Sequence, residues 1–246
     1  MTNWITFVGE GRSGHTIVSA ILDSHPNLRI AEEQKLITKW WRDDWSRKQI
    51  INTVKECGHG KERAPKALPG SLKWEEPLLY LGDKCGWDAV NLMKKQGAKP
   101  DILSKFGTHM GMNVKVIHTL RDPHENISAW LDSPKYQRQW PDLYYRTRMS
   151  IKRYSRFYGT ADKLLSKYPT FDLYNEELCL APRNVLVRLC AFLDIPMVEP
   201  WLTNAANSVF KVPHKRSDTI EWDKKLWDMV GWRIVAKYDY FDRYVK

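Results

Sequence analysis

No run of about 18 apolar residues, the length that a membrane-spanning helix requires, occurs in the 246-residue sequence. Met1 to Trp4 leads straight into a candidate strand without a basic flank or a small-residue cleavage site, so neither a membrane span nor a signal peptide is expected and the expected location is cytoplasmic. Cysteine is scarce. Cys57, Cys85, Cys179 and Cys190 lack the paired short spacings of a zinc site and the density of a disulfide scaffold, and they are read as reduced thiols. Internal repeats and low-complexity tracts are also missing. Acidic residues are in deficit, 29 against 39 Lys plus Arg, and the resulting net charge of +10 suits an anionic ligand, nucleic acid or an acidic surface. What is present is a hydrophobic content of 43%, enough for one sizeable core, which excludes disorder and fibrous repeats and leads us to expect a single domain over 1–246.

Short apolar runs alternate with amphipathic segments. Strands are expected at Trp4 to Val8, Leu28 to Ala31, Leu78 to Leu81, Val114 to Leu120 and Phe171 to Tyr174. Helices are expected up to Asp23 after the first glycine loop, and at about 33–56, 86–106, 123–132 and 182–194. This alternation predicts an α/β fold with a P-loop-type, mainly parallel sheet flanked by helices. Asp122 as N-cap and Pro123 at the first helical position punctuate one helix clearly. The segment at about 56–76, rich in Gly, Pro and Lys, reads either as a lid or as a solvated insertion, and a second insertion is expected at 135–165. Of the 12 tryptophans, Trp40, Trp41, Trp45, Trp74 and Trp87 fall outside the expected core elements; packing is their plain role, with substrate stacking open to any one of them.

The most informative segment is Gly9-Glu10-Gly11-Arg12-Ser13-Gly14-His15-Thr16. It has the GxxxxGK[ST] spacing of a phosphate-binding loop with His15 in the lysine position. Glycines allow successive N–H groups and the following helix N-terminus to point at an anion, and Arg12 and Thr16 add a forked cation and a hydroxyl to the same cluster. The missing lysine is the group that bridges β- and γ-phosphates in ATP-using enzymes, so a donor other than a magnesium triphosphate is expected and no metal is required. His15 at a helix N-terminus is expected to stay neutral, either donating one hydrogen bond or serving only the structure.

GRSGHTIVSAILDSHPN resembles the 5′-phosphosulfate-binding loop and helix of the sulfotransferases, which use 3′-phosphoadenosine 5′-phosphosulfate (PAPS) and release 3′-phosphoadenosine 5′-phosphate (PAP). AEEQK, with Glu32 and Glu33, is similar to the segment of tyrosylprotein sulfotransferases that carries the catalytic glutamate, and LGDKC, with Lys84, to their strand-end lysine segment. VIHTLRDPHENISAW resembles the 3′-phosphate-binding strand and helix, and DLYNEEL, with Tyr174, a late element lying near the adenine. These five segments run in order from residue 5 to about 196, while 40–76 and 135–165 match nothing in the family. The resemblance implies the sulfotransferase fold, PAPS as cofactor, and a hydroxyl acceptor that is a carbohydrate, a small alcohol or a tyrosine. It implies that Gly11, Arg12, Ser13, Gly14, His15 and Thr16 hold the 5′-phosphosulfate, that Arg121 and Ser128 hold the 3′-phosphate, and that Tyr174 approaches the nucleotide. In the family the phosphate serine stands eight residues after the arginine, where this sequence has Ala129; Ser128 is one residue off, a rotation of roughly 100° on a helix. The basic segment Lys211 to Arg216, preceded by Ser208, is another source of that contact.

Sulfuryl transfer needs in-line approach, cations for the peripheral oxygens and leaving phosphate, and a base for the acceptor proton. Arg12 and Lys84 supply the cations and Glu32 the base, with Glu33 its rival because neighbours in an extended segment point oppositely and only one should face the site. Plainer readings stand beside these: Lys84 as an exposed lysine, Arg121 in a salt bridge to Asp122 or Glu125, Tyr174 as a strand tyrosine, and the basic-aromatic stretch from Arg138 to Arg156 as a solvated face. A P-loop kinase and, behind it, a basic nucleic-acid-binding module are the competing functions; with no recognised nucleic-acid motif, no nucleic-acid partner is expected.

Overall fold

The computed structural model describes residues 2–57 and 75–245. The lid reading of 56–76 therefore falls almost wholly outside the described residues. Five strands, β1 (Asn3–Val8), β2 (Leu28–Glu32), β3 (Tyr80–Lys84), β4 (Val114–Leu120) and β5 (Thr170–Tyr174), form one sheet in the order β2-β3-β1-β4-β5. Every neighbouring pair is parallel. The strand residues alternate between two apolar layers: Trp4, Val8, Ala31, Leu81, Val116 and Leu120 face one, and Ile5, Phe7, Leu28, Ile30, Ile117 and Leu173 the other. Both faces are covered, as parallel sheets require.

Helices α1 (His15–Asp23), α2 (Leu36–Asp43), α3 (Arg47–Glu56), α4 (Asp88–Gln96), α5 (Ile102–Met110), α6 (Pro123–Leu131), α7 (Pro134–Gln139) and α8 (Leu143–Leu165) are followed by α9 (Asn175–Leu180), α10 (Pro182–Leu193), α11 (Glu199–Asn207) and α12 (Lys224–Arg233). The helix expected at 33–56 is two helices. Asp44 turns left-handed (φ 50°) to end α2, and Ser46 and Gln49 form a reciprocal capping box that starts α3. The one expected at 86–106 is likewise broken, by Gly97 (φ 68°) and the Lys99-Pro100 turn. The stretch 135–165 holds α7 and the 23-residue α8, whose Ile151, Tyr154, Phe157, Tyr158, Ala161 and Leu164 join the first apolar layer.

Strand β3 lies further along than its apolar run announced. Its register pairs Tyr80 with Asn3 and Lys84 with Glu32, so Gly82, Asp83 and Lys84 are inside the sheet although they look like a loop in sequence. Asp83 is buried because its carboxylate accepts the N–H groups of Gln34 and Leu36, both at 3.0 Å; burial nevertheless pushes its pKa up to about 7. Asp88 does the same for Ile37 and Thr38, at 3.1 and 3.2 Å. Two buried carboxylates thus hold the turn that follows β2.

Candidate active site

The C-terminal ends of all five strands open at one edge, where ligands bind in open α/β sheets. The loop 9–14 follows β1, Glu32 and Glu33 end β2, Lys84 ends β3, Arg121 follows β4 and Tyr174 ends β5. Sequence order alone scatters these residues over 160 positions; parallel pairing collects them.

The loop is fixed from three sides. Gly14 takes φ 98°, a conformation costly for any side chain, and a Cβ there would lie 2.3 Å from the Asn175 amide. At Gly11 a Cβ would lie 2.4 Å from the Trp130 ring. Ser13 Oγ is 2.9 Å from Thr119 Oγ1 and 3.2 Å from His15 Nδ1. With its amide nitrogen turned to the loop, Asn126 donates to the Gly11 carbonyl (3.1 Å) and accepts from the Ser13 N–H (3.2 Å). Arg12 stands at φ 73°, unusual for a non-glycine residue, with its guanidinium 5.8 Å from the Trp130 ring centroid. His15 is buried, and burial with the nearby Lys84 charge lowers its pKa to about 4, so at neutral pH the imidazole carries no charge.

At the sulfur-facing end expected from the resemblance, one buried cation gathers the acidic residues. Lys84 Nζ lies 2.5 Å from Glu32 Oε1, 3.1 Å from Glu33 Oε1 and 3.2 Å from Thr16 Oγ1. Its side chain is 2% exposed, against 16% for Glu32 and 50% for Glu33. The exposed-lysine reading is thus overturned. So is the expectation that only one glutamate faces the site: Glu33 lies just past the strand, at φ 50°, so strand alternation no longer applies and both carboxylates reach Lys84. Burial raises the pKa of Glu32, opposed by its bond to Lys84.

Arg121 donates to the carbonyls of Arg12 (3.3 Å) and His214 and lies 3.8 Å from Glu125. Glu125 in turn accepts the backbone N–H groups of Arg216 and Ser217, which brings the 214–217 segment against the loop. Two cavities flank Arg12, Gly14, Thr16, Arg121 and His214. The first, about 350 Å³, is walled by apolar Ile17, Leu178, Val209, Phe210 and Val212 together with Asn175. The second, about 420 Å³, adds His15, Arg216, Ser133 and Ala129. Asn175 and Phe210 escaped sequence reasoning. His214 falls within the basic segment offered as another source of the phosphate contact, whose charge did not say which strand end it would meet.

Two expected nucleotide contacts lie elsewhere. Ser128 is fully buried and accepts from Trp222 Nε1 at 3.1 Å, while its neighbour Ala129 lines the cavity; the helix phase decides this. Tyr174 donates its hydroxyl to the Tyr240 carbonyl (3.0 Å) and lies under the Arg243 guanidinium (3.7 Å from its ring centroid), so it faces the C-terminal segment, and Asn175 takes the place beside the loop.

No family model matches the chain. It is 27% identical over 202 residues to protein-tyrosine sulfotransferase 1 of Danio rerio, a match covering 76% of this chain and 52% of the relative. The chain thus spans about half the length of the curated relative it matches. Among solved structures it is similar to a sulfotransferase from Alicyclobacillus acidocaldarius (TM-score 0.55, 13% identity, 100% of this chain and 96% of that one). It is also similar to the sulfotransferase domain from the curacin biosynthetic pathway (TM-score 0.53, 15% identity, 94% and 97%) and to mouse sulfotransferase SULT7A1 complexed with PAP (TM-score 0.51, 12% identity, 96% and 84%). The fold is the α/β sulfotransferase fold, and the sequence likeness is of the tyrosylprotein type. Among the described residues no helix is long and apolar enough to cross a membrane.

Proposed function

We propose that this chain is a PAPS-dependent sulfotransferase acting on a hydroxyl acceptor. The observation that carries the reading is the position of Lys84, hydrogen-bonded at once to Thr16 of the anion loop and to two carboxylates at the neighbouring strand end. Anion cradle, cation and base are then within one hydrogen-bonded cluster, as group transfer requires.

The residues present fit the donor. The N–H groups at the start of α1 and the Arg12 guanidinium suit the 5′-phosphosulfate. The apolar cavity with Phe210 suits an adenine, and Arg121, with His214 and Arg216 beside it, suits a 3′-phosphate. The donor supplies the sulfuryl group and a phosphate leaving group. Of the two carboxylates we now assign the acceptor proton to Glu33 rather than Glu32: Glu33 is half exposed, whereas Glu32 is tied most closely to Lys84 and has Ser19 at 3.5 Å on its other oxygen. As the acceptor oxygen bonds to sulfur, its proton passes to Glu33, the sulfur–oxygen bond to the phosphate breaks, and Lys84 donates to the oxygen that gains charge. Neutral His15 adds no charge to this cluster.

Purified protein is incubated with PAPS, a chelator and a panel of phenol, aliphatic alcohol, sugar and tyrosyl peptide. Formation of PAP together with one sulfated acceptor is the expected result. Metal-dependent ATP turnover in place of it would return the loop to the kinase reading.

A further inference from the structure

Glu10 sits between two loop glycines and is buried, with 4% of its side chain exposed. Its Oε2 accepts from Arg153 Nη2 at 3.0 Å and from the Gly11 N–H at 3.2 Å. Arg153 comes from the middle of α8, 143 residues away in sequence. The same guanidinium lies 4.3 Å from the centroid of the Trp130 ring and donates to the Tyr136 hydroxyl of α7. Trp130 is the ring against which Gly11 is packed and over which the Arg12 guanidinium lies at 5.8 Å. Arg153 therefore grips the loop twice, through the Glu10 carboxylate and through the indole.

This arrangement answers a question the loop poses. Arg12 holds a left-handed backbone conformation that an arginine does not adopt unaided, and such conformations persist where the surroundings over-determine them. Just before Arg12, the chain is pinned at Glu10 by an ion pair whose carboxylate is buried and at Gly11 by an aromatic edge. Glu10 also takes up Nη2 of Arg153, so that of the two guanidinium groups sharing Trp130, Arg12 is the one that lines the cavities beside the loop.

We propose that Arg153 is a positioning residue, which through Glu10 and Trp130 sets the conformation of the anion-binding loop and so couples the α7–α8 segment to donor affinity. The part that concerns the donor rests on the PAPS reading; the part that concerns the loop does not.

The test uses the full chain with Arg153→Met, Arg153→Lys and Glu10→Gln. Methionine keeps the aliphatic packing on Trp130 and lacks the charge. Two quantities are read: amide hydrogen exchange over residues 9–16 in the ligand-free protein, and PAP affinity by calorimetry. Arg153→Met and Glu10→Gln are expected to accelerate exchange over 9–16 at least tenfold relative to the strands and to weaken PAP binding tenfold or more. Arg153→Lys should restore a good part of both. A folded Arg153→Met protein whose loop exchange stays within twofold of wild type overturns the proposal. Should Arg153→Met not fold, Glu10→Gln decides by the same criterion. If wild type itself does not bind PAP while the exchange difference is present, the donor reading fails and the loop clamp stands.

Discussion

His15 replaces the loop lysine and is buried beside Lys84, so its protonation must work against folding. The imidazole has an ordinary value of 6.5 and is lowered to about 4 in the fold, by burial first and Lys84 second. The folded state thus binds fewer protons than the unfolded chain between these values. Stability from His15 is complete above 6.5, is lost as pH falls through 6.5, and levels off below about 4. Integrating between these limits, moving from about pH 7 to about pH 5 removes roughly 2 kcal/mol. Asp83 titrates in the same window with the opposite sign, since its pKa is raised to about 7 and its protonation on acidification favours the fold. The raw stability curve therefore mixes two slopes, and the readout is the difference between wild type and His15→Asn, which keeps a polar atom toward Ser13 and never ionises. Urea unfolding at a series of pH values should show wild type losing about 2 kcal/mol relative to the variant over that interval. A difference that is flat with pH would refute the claim that the fold holds His15 neutral.

Three further outcomes follow from the geometry. Gly11→Ala drives a Cβ into the Trp130 ring and should destabilise the protein by about 1–3 kcal/mol while abolishing PAP binding, checked by denaturation and calorimetry. Ser128→Ala should leave PAP affinity unchanged, because that hydroxyl is turned to Trp222, whereas Ala129→Ser adds a donor to the cation-lined cavity and should tighten PAP by about fivefold, one ordinary hydrogen bond. Glu33→Gln should lower turnover at least a hundredfold (roughly the contribution of a general base) while leaving PAP affinity within about threefold, and Glu32→Gln should cost less turnover; the reverse order in single-turnover assays would restore Glu32 as the base.

Much of this architecture was legible in the sequence because its signals are local. The loop at 9–16 carries its own glycines, the helix after Arg121 its own N-cap and proline, and both were located correctly. What escaped was set by long-range pairing. Lys84 was singled out by its resemblance to a strand-end lysine, but its burial was not: Gly82-Asp83-Lys84 has no apolar pattern, and only the register with β1 and β2 buries it as strand. The orientation of Glu33 depends on one backbone angle, and that of Ser128 on helix phase; neither is encoded in spacing. Asn175 and His214 reach the loop only because β5 pairs beside β4 and because Glu125 binds the 216–217 backbone. The paired role of Glu10 and Arg153 was invisible for the same reason: in sequence one is a loop residue and the other part of a basic stretch.

The central claim, that the loop and Arg121 form a site for a 3′-phosphorylated adenine nucleotide, is tested most directly by calorimetry of PAP binding without metal, beside ADP, ATP with Mg²⁺, and the Arg121→Ala protein. The account predicts micromolar PAP binding, at least tenfold weaker binding of ADP, and loss of that preference in Arg121→Ala. Equal affinity for PAP and ADP, or a preference for ATP with Mg²⁺, would contradict it.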